Sequence, residues 1–578
     1  MSTEPSTPWL GSYGSHKFHL DYPDRTISEQ VFHIAEKYPE NVAFSFQGRN
    51  TTYRSFKDSI LKTARSLKAI GVKEGDVVTV ALPNCPQAVM IFYAINHIGA
   101  VAAMIHPLSA EGEIAFYLKE TSSRFAITLD AFYPKFKAIE NEVKLEKLII
   151  TSVSDALYGF LKFGFWLTQG RKIEKPEENE HLILWKNFQM KGSSVKGDVK
   201  VQKKADDVAV ILFSGGTTGK TKGILLSNLN MNALAYQTRE MSGVDDLSDK
   251  SMLAAMPVFH GFGLGVCVHT MFCCGGKSIL VPRFNVKSYS ELIVKERPNF
   301  IAGVPSLFEA ITRADIMEGK DLSCLLGVFS GGDSLSIELK KKIDEFLSSH
   351  NAGTRVREGY GTTECVTASC LTPIMKEKEG SIGIPYPDTY YRICKVGSTE
   401  EVPYGTEGEI CLCGPTVMKG YLNNPNETND TLIKHEDGNI WLHTGDLGIM
   451  DEEGYIYFRQ RLKRMIITNG YNVYPSQLEN IIEQHEAVQL SCVIGVKDPR
   501  KMQKVKAYVV LRPGFKESPE LIESIFAHCR KHIAKYMMPY DIEVRKDLPK
   551  TKVGKIAYTV LEAEAEEQEE RRRAEAEA

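Results

Sequence analysis

Phe213 to Gly223 reads FSGGTTGKTKG and directly follows an apolar run, Val208 to Phe213. Gly215, Gly216 and Gly219 let backbone N–H groups approach phosphate oxygens. Ser214, Thr217 and Thr218 add hydroxyl donors, and Lys220 and Lys222 add charge. Ser214 to Thr221 departs from the P-loop pattern G-x-x-x-x-G-K-[ST] only in its first residue. Two phosphate chemistries are therefore open. A P-loop enzyme transfers the γ-phosphoryl group and releases ADP; the other course is attack at the α-phosphate. A flexible surface turn is the plain alternative.

Further segments with the residue types of a nucleotide site lie downstream. They are Gly359-Tyr360-Gly361-Thr362-Thr363-Glu364, Trp441-Leu442-His443-Thr444-Gly445-Asp446, Gln460-Arg461-Leu462-Lys463 followed by Gly470-Tyr471-Asn472-Val473-Tyr474-Pro475, and Pro549-Lys550-Thr551-Lys552-Val553-Gly554-Lys555. With these in this order, the chain resembles the adenylate-forming superfamily of acyl-CoA synthetases, luciferases and peptide-synthetase adenylation domains. The likeness runs from about residue 25 to about residue 560. Within it, the Gly-Gly-Thr-Thr-Gly form, Thr221 in place of a proline, the stretch Met465 to Pro475, the region of Trp9 and Tyr13, and the apolar insert near 154–166 are similar to bacterial medium- and long-chain fatty acyl-CoA synthetases. Gly215 in that form replaces the Ser of many members, and two departures matter: Gln460 stands where an Asp often precedes the motif arginine, and Ile467 stands where some members carry a Lys used in the thioester step. The long-chain group also has an aliphatic residue at that last position.

The resemblance implies two half-reactions. A carboxylate attacks the α-phosphate of ATP to give acyl-AMP and pyrophosphate, and the thiol of coenzyme A then displaces AMP. It assigns Ser214, Gly215, Gly216, Thr217, Thr218 and Lys222 to the β- and γ-phosphates, Thr363 to the α-phosphate, and Glu358, Gly359 and Tyr360 to the adenine. Glu364 would hold Mg²⁺, a hard cation suited to carboxylate and phosphate oxygens. Asp446, with Arg461, would take the ribose hydroxyls. His260, in Pro-Val-Phe-His-Gly-Phe-Gly, would lie near the substrate carboxylate, and Lys555 would act in adenylation. Lys463 falls at the family's hinge, and the face of Gly470 and Tyr471 would serve the thiol step. Each has a plainer reading: His260 as a core histidine, Asp446 as a turn residue, Lys463 as a linker charge.

Other functions stay open at this level. They are a CoA ligase for aromatic or steroid-like acids, an acyl-carrier-protein ligase, a P-loop phosphotransferase, and a binding module that keeps the fold without catalysis. The last would be expected to have lost Lys555 or Glu364, and both are present. The identity of the acid and the oligomeric state are not legible.

The elements that must position these residues show in the apolar pattern. Phe56, Ile60, Leu61, Ala64 and Leu67 share one helical face. Val77 to Leu82 is a buried strand, Ala88 to Ile95 a helix opened by Pro86, and Ala100 to Ile105 the next strand. That is a βαβ unit and predicts a parallel sheet covered on both faces. Residues 171–207 are polar and read as a surface excursion. The expected fold class is α/β: a large N-terminal domain of mixed and parallel sheets with flanking helices, plus a small mobile α+β domain. The expected division is 1–460 for the large AMP-binding domain, 461–463 for the hinge, 464–562 for the small domain and 563–578 for a charged low-complexity tail.

Composition excludes some classes. Of 578 residues, 70 are Lys or Arg and 73 Asp or Glu, so the net charge of −3 gives no basic excess for nucleic acid. The twelve cysteines include no Cys-x-x-Cys; Cys273-Cys274 and Cys411-x-Cys413 read as buried free thiols in a reducing cytoplasm. The N-terminus lacks the basic and apolar regions of a signal peptide. Met252 to Cys274 is uncharged and long enough to span a bilayer, but Pro257, His260, His269 and its glycines favour a soluble core. Contact with the inner face of a membrane is expected to be at most peripheral.

Overall fold

The structure is a computed structural model that describes residues 5–168, 170–173, 176–214, 221–282, 285–468, 471–498, 502–551 and 555–577, without the side chains of 463, 471, 472, 570 and 572–577. Gly215, Gly216, Thr217, Thr218 and Gly470 lie outside the described residues.

The expected βαβ unit is present. Val77–Ala81 and Val101–Met104 are parallel neighbours joined by the helix Pro86–His97, every residue of which is buried except the half-buried Met90. They belong to an eight-stranded sheet that is parallel from Val208–Ser214 to its far edge at Leu182–Leu184. That edge strand corrects the reading of 171–207 as a surface excursion. Leu182–Leu184 pairs with Lys147–Thr151, and Phe188 behind it is fully buried. Three apolar residues are too few to show a period, so the polar flanks dominated the reading.

A nine-stranded sheet packs with it. Its interior strands run parallel in the order Val42–Phe46, Lys277–Leu280, Ser251–Ala254, Phe300–Gly303, Gly327–Gly331 and Val356–Tyr360. A third, antiparallel sheet of five strands includes Ile440–Met450 and Ile456–Arg461. One buried apolar cluster runs through these sheets from Trp9 to Ile456. The uncharged stretch from Met252 to Cys274 lies inside it as the strand Ser251–Ala254, a π-helical segment Phe262–His269 and the short helix Thr270–Cys274. Among the described residues no helix is long and apolar enough to cross a membrane.

The small C-terminal domain has its own five-stranded sheet and its own core, including Ile466, Leu478, Val493, Ala507 and Ile525. The chain is thus α/β with a large N-terminal domain of mixed sheets and a small C-terminal one. The charged tail continues a helix, Tyr558–Glu577, that is fastened at its start by Leu561 and Ala565 in a second apolar cluster and by Lys504 to Glu569 at 3.1 Å. Cys273 and Cys411 are buried, and Cys274 and Cys413 half-buried, all as free thiols.

Candidate active site

The carboxyl ends of strands from both large sheets open onto one cavity of 1390 Å³. Gly327–Gly331 delivers Gly332 and Asp333, Phe300–Gly303 delivers Val304 to Ser306, and Val356–Tyr360 delivers Gly361 to Glu364. The other sheet contributes Ile105, His106 and Ser214. Sites in open α/β sheets form beyond strand carboxyl ends. The volume exceeds the roughly 300–1,000 Å³ usual for a single small ligand.

The loop after Val356–Tyr360 is strained. Val366 has φ +68° and ψ −60°, and Thr367 N–H donates to Cys365 O at 2.9 Å, which is a γ-turn. A positive φ on a β-branched residue is rare and costs of order 1–3 kcal/mol. The turn aims the Val366 carbonyl at Gly261, where a Cβ would stand 1.8 Å from that oxygen. Glycine at 261 therefore lets the His260 segment and the Thr363–Glu364 loop meet.

His260 lines the cavity, and its Nδ1 accepts Phe262 N–H at 3.2 Å. Burial, and then the neighbouring Lys555 ammonium, bring its pKa down to about 3. The ring is neutral at pH 7, and Nε2 keeps its proton as a donor.

Asp446 and Arg461 sit opposite each other on antiparallel strands, with Arg461 Nε 3.2 Å from Asp446 Oδ1. Tyr360 Oη donates to Asp446 Oδ2 at 2.7 Å. Burial pushes the Asp446 carboxyl up, while Arg461 and the Tyr360 hydrogen bond favour its ionised form. Oδ1 is buried without a hydrogen-bond partner among the described residues, so the carboxylate retains accepting capacity. The preceding turn is held by Glu409, which accepts Gly445 N–H and pairs with His443 Nδ1, both at 2.9 Å. Beside Tyr360, Glu358 accepts Leu335 N–H at 3.1 Å, and burial raises its pKa to about 7. Gly359 lies between them on the same strand.

At the other end of the cavity, Ser214 and Lys222 face each other across a hairpin. Lys222 pairs with Glu427 and lies 4.7 Å over the Tyr421 ring. Tyr421 Oη in turn donates to Glu364 Oε1 at 2.9 Å. Thr363 and Glu364 form a short 3₁₀ turn on the cavity wall.

Lys555 enters the cavity from the small domain. Its N–H donates to Thr551 Oγ1 at 3.1 Å and its carbonyl accepts Thr551 N–H at 2.6 Å, which closes the loop that carries it. The side chain passes over Gly332, where a Cβ would stand 3.6 Å from Lys555 Cε. Burial and then Arg461 lower its pKa; Asp333, Asp446 and Glu364 oppose them. Lys463 lies in the short turn Leu462–Arg464, and Tyr471 opens the strand Tyr471–Val473.

The structure thus brings together Ser214, Lys222, His260, Glu358, Gly359, Tyr360, Thr363, Glu364, Asp446, Arg461 and Lys555 around one cavity. Sequence reasoning missed Tyr421, Glu427 and the Gly261–Val366 contact. Asn424-Pro425 signals the helix Pro425–Thr431, but nothing local signals that Glu427 meets Lys222. The apolar end is walled by Thr238, Phe262, Val266, Val304, Phe329 and Tyr386. None of the apolar insert at 154–166 lines the cavity.

Comparison with known proteins gives the family. The model of the AMP-binding enzyme matches residues 31–422, and that of the AMP-binding enzyme C-terminal domain matches 477–555. The chain is 34% identical over 555 residues to a long-chain-fatty-acid–CoA ligase of Bacillus subtilis, covering 95% of this chain and 96% of that protein. It is 29% identical over 567 residues to the ligase of the same name from Salmonella typhimurium, covering 96% and 98%. In fold it is similar to the anthranilate CoA ligase AuaEII in complex with anthranoyl-AMP, with a TM-score of 0.80 and 24% identity over 94% of this chain and 98% of that one. With both family models matched in order and a full-length relative above 30% identity, the chain belongs to the AMP-binding enzyme family.

Proposed function

We propose that the chain is an AMP-forming acid–thiol ligase that uses ATP to join a medium- or long-chain fatty acid to coenzyme A. The observation that carries the reading is the meeting of Lys555, from the small domain, with Asp446, Arg461 and Glu364 in one cavity whose far wall is apolar. A phosphoryl-transfer site has no need of an acyl-sized apolar wall, and the relatives named above support a fatty acid as the carboxylate.

On this reading a carboxylate oxygen attacks the α-phosphorus and pyrophosphate leaves. Both reactants are anions, so preorganised donors must offset their repulsion. Lys555 supplies the ammonium, the His260 Nε2–H faces the carboxylate, and Thr363 faces the α-phosphate. Asp446 takes the ribose hydroxyls and Glu358 to Tyr360 the adenine. Ser214, the loop to Thr218, and Lys222 take the outer phosphates; Lys222 then exchanges its pairing with Glu427 for one with phosphate. Glu364 would offer a carboxylate oxygen to Mg²⁺ at that end, where the ion would offset phosphate charge. The thiol of coenzyme A next attacks the acyl carbonyl and AMP departs. Rotation of the small domain about Lys463, at the 461–463 segment between units 1–460 and 464–562, withdraws Lys555 and presents Gly470 and Tyr471 for this step.

The test is nucleotide analysis across carboxylic acids of graded length, together with aromatic and steroidal acids. AMP and pyrophosphate, with efficiency rising toward long chains, are expected; each buried methylene is worth ~0.8 kcal/mol. ADP as the product, or benzoate outperforming every fatty acid, would overturn the reading.

A further inference from the structure

The helix Gly159–Thr168 is rich in large apolar residues and lies outside the cavity lining. Phe165 packs against the core and the preceding Leu157 is buried, so the helix is fastened along one side. The rest of it faces outward: Phe160 is 94% exposed, Phe163 58% and Trp166 46%, with Tyr158, Leu161 and Leu167 beside them. Folding would not leave so many large apolar groups in water unless another surface covers them in use.

Charge indicates which surface. From Ala156 to Ile173 the charged residues are Lys162, Arg171 and Lys172, with no acid among them. All three are exposed. Two arginines flank the aromatic face: Arg171 lies 5.3 Å from the Trp166 ring and Arg49 lies 3.6 Å from the Tyr158 ring. Acids adjoin the stretch at both ends, Asp155 and Glu174, and Asp155 is turned back to accept Ser152 N–H at 2.9 Å. Aromatic and aliphatic groups ringed by cations are the composition of a helix that lies in a bilayer interface among anionic headgroups. A second copy of the chain fits less well, because a symmetric pairing would set these cations against themselves.

We propose that Gly159–Thr168, with Lys162, Arg171, Lys172 and Arg49, docks the enzyme on an anionic lipid bilayer. Phe160, Phe163 and Trp166 enter the acyl boundary and the cations meet phosphate headgroups. The proposal deepens the reading above, since a bilayer is where long-chain acids partition, but the binding itself needs no substrate.

The experiment is co-sedimentation of the full chain with vesicles of phosphatidylcholine containing about one-third phosphatidylglycerol, against phosphatidylcholine alone. Binding to the anionic vesicles is expected, with a blue shift of tryptophan emission, because Trp9 and Trp441 are already buried and Trp185 is packed against the core, whereas Trp166 is 46% exposed. F160S/F163S should weaken binding about tenfold or more, and K162E/R171E should remove the preference for anionic lipid. Ligase activity on a short soluble fatty acid without vesicles should be unchanged in both variants, which shows that they fold. Absence of wild-type binding, or undiminished binding by F160S/F163S, would overturn the proposal. So would a wild-type dimer that becomes a monomer in that variant. If the wild type binds vesicles but activates no acid, the functional reading fails and the docking surface stands.

Discussion

Lys555 is where the account is most exposed at the scale of a single residue. On the proposed reading its ammonium meets carboxylate and α-phosphate as charge shifts between them. Loss of one such contact costs ~2.7–4 kcal/mol, about a hundred- to a thousandfold in rate. Lys555→Ala is expected to lose acyl-AMP formation by that factor yet still convert supplied acyl-AMP and coenzyme A to thioester. Burial disfavours the charged form of Lys555, so its pKa lies below that of a free lysine. Acyl-AMP formation should therefore decline on the alkaline side below ~10.4, the value of an unperturbed lysine. Lys555→Arg, charged throughout, should flatten that limb at a lower rate. A half-reaction pH profile checks both, and an unchanged limb in the arginine variant would remove Lys555 from the step. The Gly-Tyr-Gly-Thr-Thr-Glu and Thr-Gly-Asp segments, which the structure places on the cavity, were visible in sequence because their residue types stand out locally. Lys222–Glu427 and Tyr421–Glu364 were not, because those pairs join residues far apart in the chain.

Among the elements, the contact between Gly261 and the Val366 γ-turn positions two cavity-lining segments at once. Any Cβ at 261 must displace a backbone carbonyl, so Gly261→Ala is expected to destabilise by about 1–3 kcal/mol and to lower acyl-AMP formation. Urea unfolding with a half-reaction assay measures both; a variant unchanged in each would show that the loop has room to move. No sequence signal pointed to Val366, since valine is among the last residues expected at positive φ. Longer elements were read well. The helix Tyr53–Ala69 shows one apolar face, and the helix Pro86–His97 and the strands Val77–Ala81 and Val101–Met104 show as near-continuous apolar runs. The strand Leu182–Leu184 was missed for want of that length, and the apolar composition of the insert at 154–166 did not tell which of its residues would face outward.

The whole molecule has a large body and a small domain with separate cores, joined through Arg461 to Arg464. The small domain is docked so that Lys555 reaches the cavity, while Tyr474 donates to Glu407 and Ser476 to the Arg459 carbonyl across the join. On the proposed reading the small domain leaves these contacts and returns to them. If rotation about Lys463 separates the half-reactions, Lys463→Pro, which fixes φ near −65°, should spare acyl-AMP formation and slow thioester formation. Equal effects on both would place the hinge elsewhere.

The central claim is that acid and nucleotide become covalently joined through a carboxylate oxygen. It is tested most directly by supplying a long-chain fatty acid with heavy oxygen in its carboxylate, together with ATP and coenzyme A, and weighing the products. Attack of that oxygen on the α-phosphorus, followed by thiol attack on the acyl carbon, leaves one labelled oxygen on AMP and the other in the thioester. Heavy oxygen in AMP is the predicted result. Heavy oxygen in inorganic phosphate, with ADP as the nucleotide product, would mean that the γ-phosphoryl group is transferred and would contradict the account.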